Sequence, residues 1–327
     1  MLGAQGPLMF APLKHRSLDV VSLGEALIEF NQTQTHPPLY LQGFGGDTSN
    51  AIIAAARARA RCAYLSLLGQ DRWADLLLNL WRDEGVATDG VRCLSGARTG
   101  LYFVHHDATG HHFSYARSGS AASQMTAADL QGTWSQSIAN SQWLHVSGIS
   151  LALSETARQT VLAAMQMARD VGTRVALDTN LRLSLWPLQQ ARACLEEAMA
   201  CCDLLLPSAE DMTQLTGLTQ PEAIVDWCHH HGASGVVLKL GAQGALISTG
   251  SERLRVPGWQ VNAVDATGAG DCFCGNLLAR LVQGDALAQA TRWANAAAAL
   301  SVQGIGAIAP LPHADQVCAL LASTPNT

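Results

Sequence analysis

Val264-Asp265-Ala266-Thr267-Gly268-Ala269-Gly270-Asp271-Cys272-Phe273-Cys274-Gly275-Asn276 is the stretch on which the fold and chemistry of this chain turn. Small residues lead into a run, Cys272 to Leu281, whose apolar positions recur at helical spacing. The glycines let backbone amides come close to a ligand, and the helix N-terminus that follows adds N–H groups and a partial positive charge. That combination binds anions, phosphate above all. Asp271 falls in the first turn, where a transferring phosphoryl and an acceptor hydroxyl would meet. A carboxylate there is poorly suited to holding phosphate and well suited to taking the proton of an attacking hydroxyl. The other reading of the same residues is a glycine-rich turn in which Asp271 caps the helix.

The composition narrows the setting. A chain of 327 residues suits one large α/β domain or two smaller ones. A net charge of -6, with only Lys14 and Lys239 as lysines, argues against nucleic acid or an anionic membrane as partner. Nine cysteines without C-x-x-C spacing point to free thiols in a reducing compartment. No apolar run has the length of a membrane span, and residues 1–16 lack the order of a signal peptide. A cytoplasmic protein is expected, with 1–16 as a loose leader and 17–322 as the folded domain.

Working outward, short apolar runs at 18–23, 62–68, 143–148, 174–179, 203–206, 235–240 and 245–248 read as strands. Helices are expected over 51–60 and 73–84, then near 154–171, 188–201, 209–215, 221–231, 269–283, 286–302 and 313–322. This alternation predicts a doubly wound, mostly parallel α/β sheet with helices on both faces. Ligands of such a sheet bind beyond the strand C-termini, where Asp178, Ser208, Lys239 and Asp271 should lie. Two segments break the rhythm. Residues 35–44, with Pro37 and Pro38, look too irregular for a core element. Within 91–117, strand-like runs at 100–106 and 111–116 flank the hairpin signal Asp107-Ala108-Thr109-Gly110. Both segments are expected to form a small β lid over the site.

Several nucleotide-binding patterns are missing. There is no G-x-x-x-x-G-K-[ST] loop, no G-x-G-x-x-G after a strand and no protein-kinase signature. What remains is the late anion-binding turn, the lid, and the early turn Gly45-Gly46-Asp47-Thr48-Ser49-Asn50-Ala51. Gly45 and Gly46 let a polyol lie against backbone, and Asn50 offers a bidentate amide.

Gly45-Gly46-x-x-x-Asn50 and Asp265-x-Thr267-Gly268-Ala269-Gly270-Asp271 resemble the two signatures of the ribokinase-like (PfkB-type) carbohydrate kinases. The resemblance runs from about Leu18 to Pro310. It implies ATP as donor, Mg²⁺ as counter-charge, Asp271 as general base, and the amides of Gly268, Ala269 and Gly270 as the anion hole. It also implies a nucleotide-phosphate loop at Lys239-Leu240-Gly241-Ala242-Gln243-Gly244 and a position near adenine for Asn295. The family's Asn-x-x-Glu is replaced here by Ser208-Ala209-Glu210-Asp211. Glu210 can still serve the metal through water. Ser208 is either a nucleotide contact or the N-cap of the next helix. Lids in this family often pair between subunits, which implies a homodimer.

For the acceptor, Tyr102 and Tyr115 lie on the two lid strands, and Arg117 shares a strand face with Tyr115. Asp178-Thr179-Asn180-Leu181-Arg182 brings a second arginine to the ligand edge. Two arginines at one pocket favour an anionic substrate. Tyr115-Ala116-Arg117, with Gly43–Thr48, Gly100-Leu101-Tyr102 and Ser147-Gly148-Ile149-Ser150, resembles 2-keto-3-deoxygluconate kinases, which phosphorylate the 6-hydroxyl of a sugar acid. Fructokinases share the Asp178…Arg182-x-x-Leu185-Trp186 pattern, so the Tyr115/Arg117 pair decides between the two. A fructokinase or another sugar kinase of the family is the alternative, and a non-catalytic sugar-acid sensor is the reading from another class. Glu25 and Glu29 contact the pocket or flank it. His105, His106, His111 and His112 face one another across the hairpin, and polar lid residues explain them better than a metal site does.

Overall fold

Neighbouring residues of the central strands bury on opposite sides. Val20, Trp143 and Ala176 join one apolar cluster, whereas Val21, Leu144 and Leu177 join the other. Period-2 side-chain alternation with both faces apolar requires cover on both faces, and helices supply it. The computed structural model describes residues 10–107, 110–249 and 252–323, the side chains of Asp107 and His111 apart.

Strand β1 (Leu18–Leu23) opens a large sheet, and β2 (Leu27–Gln34) and β3 (Leu39–Gly45) belong to a smaller one. Helix α1 (Asp47–Arg57), β4 (Cys62–Gly69), α2 (Arg72–Asp83), β5 (Val86–Ala87) and β6 (Val91–Leu94) follow. The pair β7 (Gly100–Asp107) and β8 (Gly110–Ala116) returns to the small sheet. Then come α3 (Thr133–Ala139), β9 (Ser141–Ser147), α4 (Gly148–Ala152), α5 (Glu155–Asp170), β10 (Arg174–Asp178) and α6 (Leu188–Met199). Next are β11 (Leu204–Leu205), α7 (Ala209–Thr216), α8 (Pro221–His230), β12 (Gly235–Lys239), β13 (Ala245–Ser248) and β14 (Arg253–Val256). Helices α9 (Ala269–Val282), α10 (Leu287–Ser301) and α11 (Ala314–Ser323) close the chain.

The large sheet runs β14-β13-β12-β11-β10-β9-β1-β4-β5, with β6 also on β4. It is parallel except at the β12–β13–β14 edge, so the expected doubly wound architecture is present. The lid is a separate sheet, β3-β2-β7-β8.

The differences from expectation have local causes. Residues 35–44 are largely strand: β3 pairs antiparallel with β2, whose polar positions (Glu29, Asn31, Gln32) hid it among loop residues. β6, expected in the lid, pairs with β4 in the large sheet instead. β14 completes an antiparallel hairpin with β13 that apolar runs could not announce, since Arg253, Leu254 and Arg255 are exposed. Helix α1 starts at Asp47 because Gly46 breaks the chain at φ 104. Residues 10–16 are not loose: Phe10 packs edge-on against Trp143 at 5.0 Å, and the Leu13 amide donates to Gln142 Oε1 at 2.9 Å. Residues 1–9 and the turn residues Ala108 and Thr109 lie outside the described residues. All nine cysteines are unpaired. No helix among the described residues is long and apolar enough to cross a membrane.

Candidate active site

A cleft of ≈ 1090 Å³ lies between the C-terminal edge of the large sheet, the starts of α1 and α9, and the lid. Asp178, Ser208, Lys239 and Asp271 all line it, as the parallel topology requires.

Asp271 sits at the third position of α9, and the N-cap is Gly268 at φ 75. The capping alternative for Asp271 is thereby removed. Its side chain is nearly buried yet reaches the cleft. Asn50 Nδ2 donates to Oδ2 at 2.8 Å, and Asn180 Nδ2 approaches Oδ1 at 3.5 Å. Burial, then the charges of Asp47 and Asp178, push its carboxyl up to about 7, against the Asn50 hydrogen bond and the Lys239 ammonium. A carboxyl so poised is a competent base near neutrality.

Lys239 ends β12, and its Nζ donates to both oxygens of Asp178 at 2.9 Å. Burial alone would lower the Lys239 ammonium, but the Asp178 carboxylate outweighs it and holds the charge on. A Cβ at Gly270 would lie 3.4 Å from this Nζ, so the cation stands beside the start of α9.

The lid brings Tyr102 and Tyr115 to the cleft, with Glu29 flanking it. Glu29 is opposite Tyr102, and Tyr102 is opposite Tyr115. The Tyr102 hydroxyl donates to buried Glu29, and its ring stacks on Tyr115 with centroids 6.0 Å apart. Arg117 forms an ion pair with buried Glu25, which also accepts from Ser120 Oγ. Burial raises the Glu25 and Glu29 carboxyls, opposed by Arg117 and by Tyr102 respectively.

An anion cradle, a buried base and a lid over one cleft agree with a phosphotransferase, and the comparison with known proteins decides the family. The sequence pattern described as pfkB family carbohydrate kinase matches residues 17–314. The chain belongs to the pfkB family of carbohydrate kinases. It is 32% identical over 304 residues to the 2-dehydro-3-deoxygluconokinase of Dickeya dadantii (strain 3937), covering 90% of this chain and 97% of that one. It is 34% identical over 323 residues to Fructokinase-1 of Oryza sativa subsp. japonica, covering 94% and 99%. The fructokinase with bound ATP from Xylella fastidiosa matches with a TM-score of 0.85 at 25% identity, over 93% of this chain and 98% of that one.

In this pfkB-family kinase most of the expected site residues do meet. Gly46, Asn50, Tyr102, Tyr115, Arg117 and Arg182 line the cleft, Arg182 beside Asp211 of α7. Ser208, Glu210, Lys239, Gly241, Gly268 and Gly270 line it as well. Ser208 lines the cleft, and its Oγ accepts from the Asp211 amide at 3.0 Å as the N-cap of α7.

Four expected residues do not line the cleft. Gly45 is buried, and the space a Cβ would take is filled by Tyr102, 2.5 Å away at its hydroxyl. It makes room for the tyrosine rather than for a polyol. Gly244 is required at φ 92, where a Cβ would strike the Val256 carbonyl at 2.2 Å. The Ala269 amide turns back to the Ala266 carbonyl at 3.2 Å, leaving the cradle to its neighbours. Asn295 is spent on structure, donating to the Val256 and Pro257 carbonyls at 3.2 and 3.0 Å.

Asp47 and Asn180 line the cleft without any signal in residue order, and Glu25 proved to be the partner of Arg117. Asn180 carries a φ of 30, which only the folded backbone reveals. Among the described residues no three His, Cys, Asp or Glu side chains could hold a metal ion by themselves. That suits Mg²⁺, which keeps most of its waters and leans on substrate phosphates. On the lid, His105 bonds Tyr40 and Ser114, and His106 bonds Asn31, while the side chain of His111 lies outside the described residues.

Proposed function

We infer that this kinase transfers the γ-phosphoryl of ATP to the 6-hydroxyl of 2-keto-3-deoxygluconate. The bound ATP of the Xylella fastidiosa fructokinase supports the donor. The acceptor oxygen forms its bond to phosphorus while its proton passes to the Asp271 carboxylate, and the bond from phosphorus to the departing ADP oxygen breaks. The amides of Gly268 and Gly270 meet the transferring group at the start of α9, with Lys239 beside them. Lys239, Gly241 and Ser208 lie where the nucleotide phosphates would run. Mg²⁺ supplies counter-charge to those phosphates, and Glu210, exposed in the cleft, would hold it through water. Nine free thiols support action in a reducing cytoplasm.

The observation that carries the sugar-acid assignment is Arg182. Its side chain is 48% exposed at the cleft; its Nη1 donates to the Leu181 carbonyl at 2.8 Å and comes no nearer than 4.0 Å to a carboxylate, that of Asp211. A guanidinium left so weakly paired suits a carboxylate ligand. Arg117 favours the second reading, fructokinase: Glu25 already neutralises it, and a neutral ketose needs no free cation.

A coupled ADP-release assay with 2-keto-3-deoxygluconate, 2-keto-3-deoxygalactonate, fructose and ribose tests both. The sugar acid should give the highest kcat/KM, and Arg182→Ala should raise its KM by roughly 10–100-fold while fructose stays near wild type. Fructose as the best acceptor, with equal effects of Arg182→Ala, would establish the fructokinase. Ligand binding without ADP release would establish a sensor.

A further inference from the structure

Two side chains that no signature assigns, Asp47 and Asn180, lie beside the base. Asp47 opens α1, one turn before Asn50, and is 7% exposed at the cleft wall. Asn180 follows β10 and is likewise buried at 7%. Its Nδ2 lies 3.2 Å from Asp47 Oδ2 and 3.5 Å from Asp271 Oδ1, so one amide faces two carboxylates. Its backbone stands at φ 30, a conformation that costs a non-glycine residue free energy and survives only where the surroundings impose it. On the far side, Asn50 Nδ2 takes Asp271 Oδ2. The Asp271 carboxylate is therefore faced by an amide at each oxygen, bonded by Asn50 at 2.8 Å and approached by Asn180 at 3.5 Å, and the Asn180 amide also meets a second acid.

We propose that Asp47 and Asn180 are a positioning pair for the catalytic base: Asp47 fixes the Asn180 amide, and that amide, opposite Asn50, sets the Asp271 carboxylate toward the acceptor hydroxyl. This deepens the kinase reading above and rests on it. Two buried acids so close are costly. An apolar residue in place of Asp47 would leave the Asn180 amide to swing, whereas a carboxylate pins it. Asp47 also bears on the proton affinity of the base, as the second cause after burial of its raised carboxyl.

The other groups facing Asp271 are Asp178 at the end of β10, Lys239 at the end of β12, Cys272 and Cys274 on its own helix and Tyr102 on the lid. Those facing Asp47 are Ser147, the Thr48 amide, Asp178, Arg117, Glu25 and Tyr64. Arg117 and Lys239 are each committed to their own carboxylates, Glu25 and Asp178. Even so committed, Lys239 still lowers the Asp271 carboxyl and Arg117 the Asp47 carboxyl, so the test compares variants that leave both cations in place.

The test is the pH profile of kcat/KM, which reports the free enzyme, for wild type, Asp47→Asn and Asn180→Gly with whichever acceptor wild type turns over. Asp47→Asn removes a like charge and should move the rising acid limb down by about one pH unit. Asn180→Gly tolerates the positive φ, removes the donor, and should move the limb the opposite way. It should also lower kcat by roughly tenfold or more, with the KM for ATP unchanged. Limbs that coincide with wild type in both variants, or that move in the same direction, overturn the proposal, whatever the change in Tm. Should wild type phosphorylate no sugar, the kinase reading fails by itself. The Asp271 carboxyl can then be followed by ¹³C NMR titration, and the same opposed shifts or their absence decide this inference.

Discussion

In the proposed phosphoryl transfer a single carboxylate carries the chemistry. Asp271 is raised to about 7 by burial and by Asp47, so it accepts a proton near neutrality without being permanently ionised. Asp271→Asn keeps the shape and the Asn50 contact but has no base. Its kcat should fall by roughly 10²–10⁴-fold while nucleotide binding, followed by calorimetry, stays near wild type. Retention of most turnover would show that the proton leaves by another route. The place of Asp271 was legible in residue order, because an acid directly after Thr-Gly-Ala-Gly and before a helix falls in the first turn of that helix, here at the cleft. Its two amide neighbours were not, since Asn50 and Asn180 are distant in sequence and meet Asp271 only in space.

At the scale of elements, the site is assembled where α1 meets α9. A Cβ at Gly275 would stand 2.0 Å from the Ala51 carbonyl oxygen, a backbone atom that cannot swing aside. Gly275→Ala should therefore push the helices apart, destabilise the fold by about 1–3 kcal/mol, and lower kcat too, since Asn50 and Asp271 sit on those two helices. Denaturant melts and turnover should move together. A variant with wild-type stability would mean that the helices reseat freely. The lid is tied down by Arg117 and Glu25, whose side chains are 10% and 1% exposed. Arg117→Ala strands a buried carboxylate and should cost about 3–5 kcal/mol. Pairing it with Glu25→Gln should recover part of that loss, which a role confined to substrate binding would not produce. The short lid strands with mixed polar residues are what sequence patterning read least well. β2 lacks clean alternation because one end lies over the cleft and the other in solvent.

For the whole molecule, the buried acids trade stability for function. The Asp271 carboxyl titrates higher in the folded than in the unfolded chain, so the folded state holds its proton longer. The site is least costly below the unfolded value, and stability is lost as pH rises through the folded one. Asp271→Asn should then gain Tm over wild type by a margin that widens from about pH 5 to about pH 8. A margin constant with pH would place the carboxyl at its ordinary value in the fold. The lid also leaves apolar side chains in the open, with Leu41 64% and Leu39 51% exposed. These fit the lid-to-lid dimer that the family resemblance implies. Light scattering should find two chains, and Leu41→Lys should shift the mass toward one. A wild-type monomer at micromolar concentration would refute lid pairing.

The amino-acid order by itself determined the alternating α/β architecture, the anion-binding turn with its acid, and the glycines that steep turns need. These follow from local periodicity and local backbone sterics, which neighbours in the chain carry. Tertiary structure alone decided which charges are free. Arg117 proved to be spent on Glu25, Lys239 on Asp178 and Asn295 on the carbonyls after β14, while Arg182 stayed open to the cleft. Such pairings form between residues far apart in the chain, and the same side chain reads alike in sequence whether it is paired or waiting for a ligand.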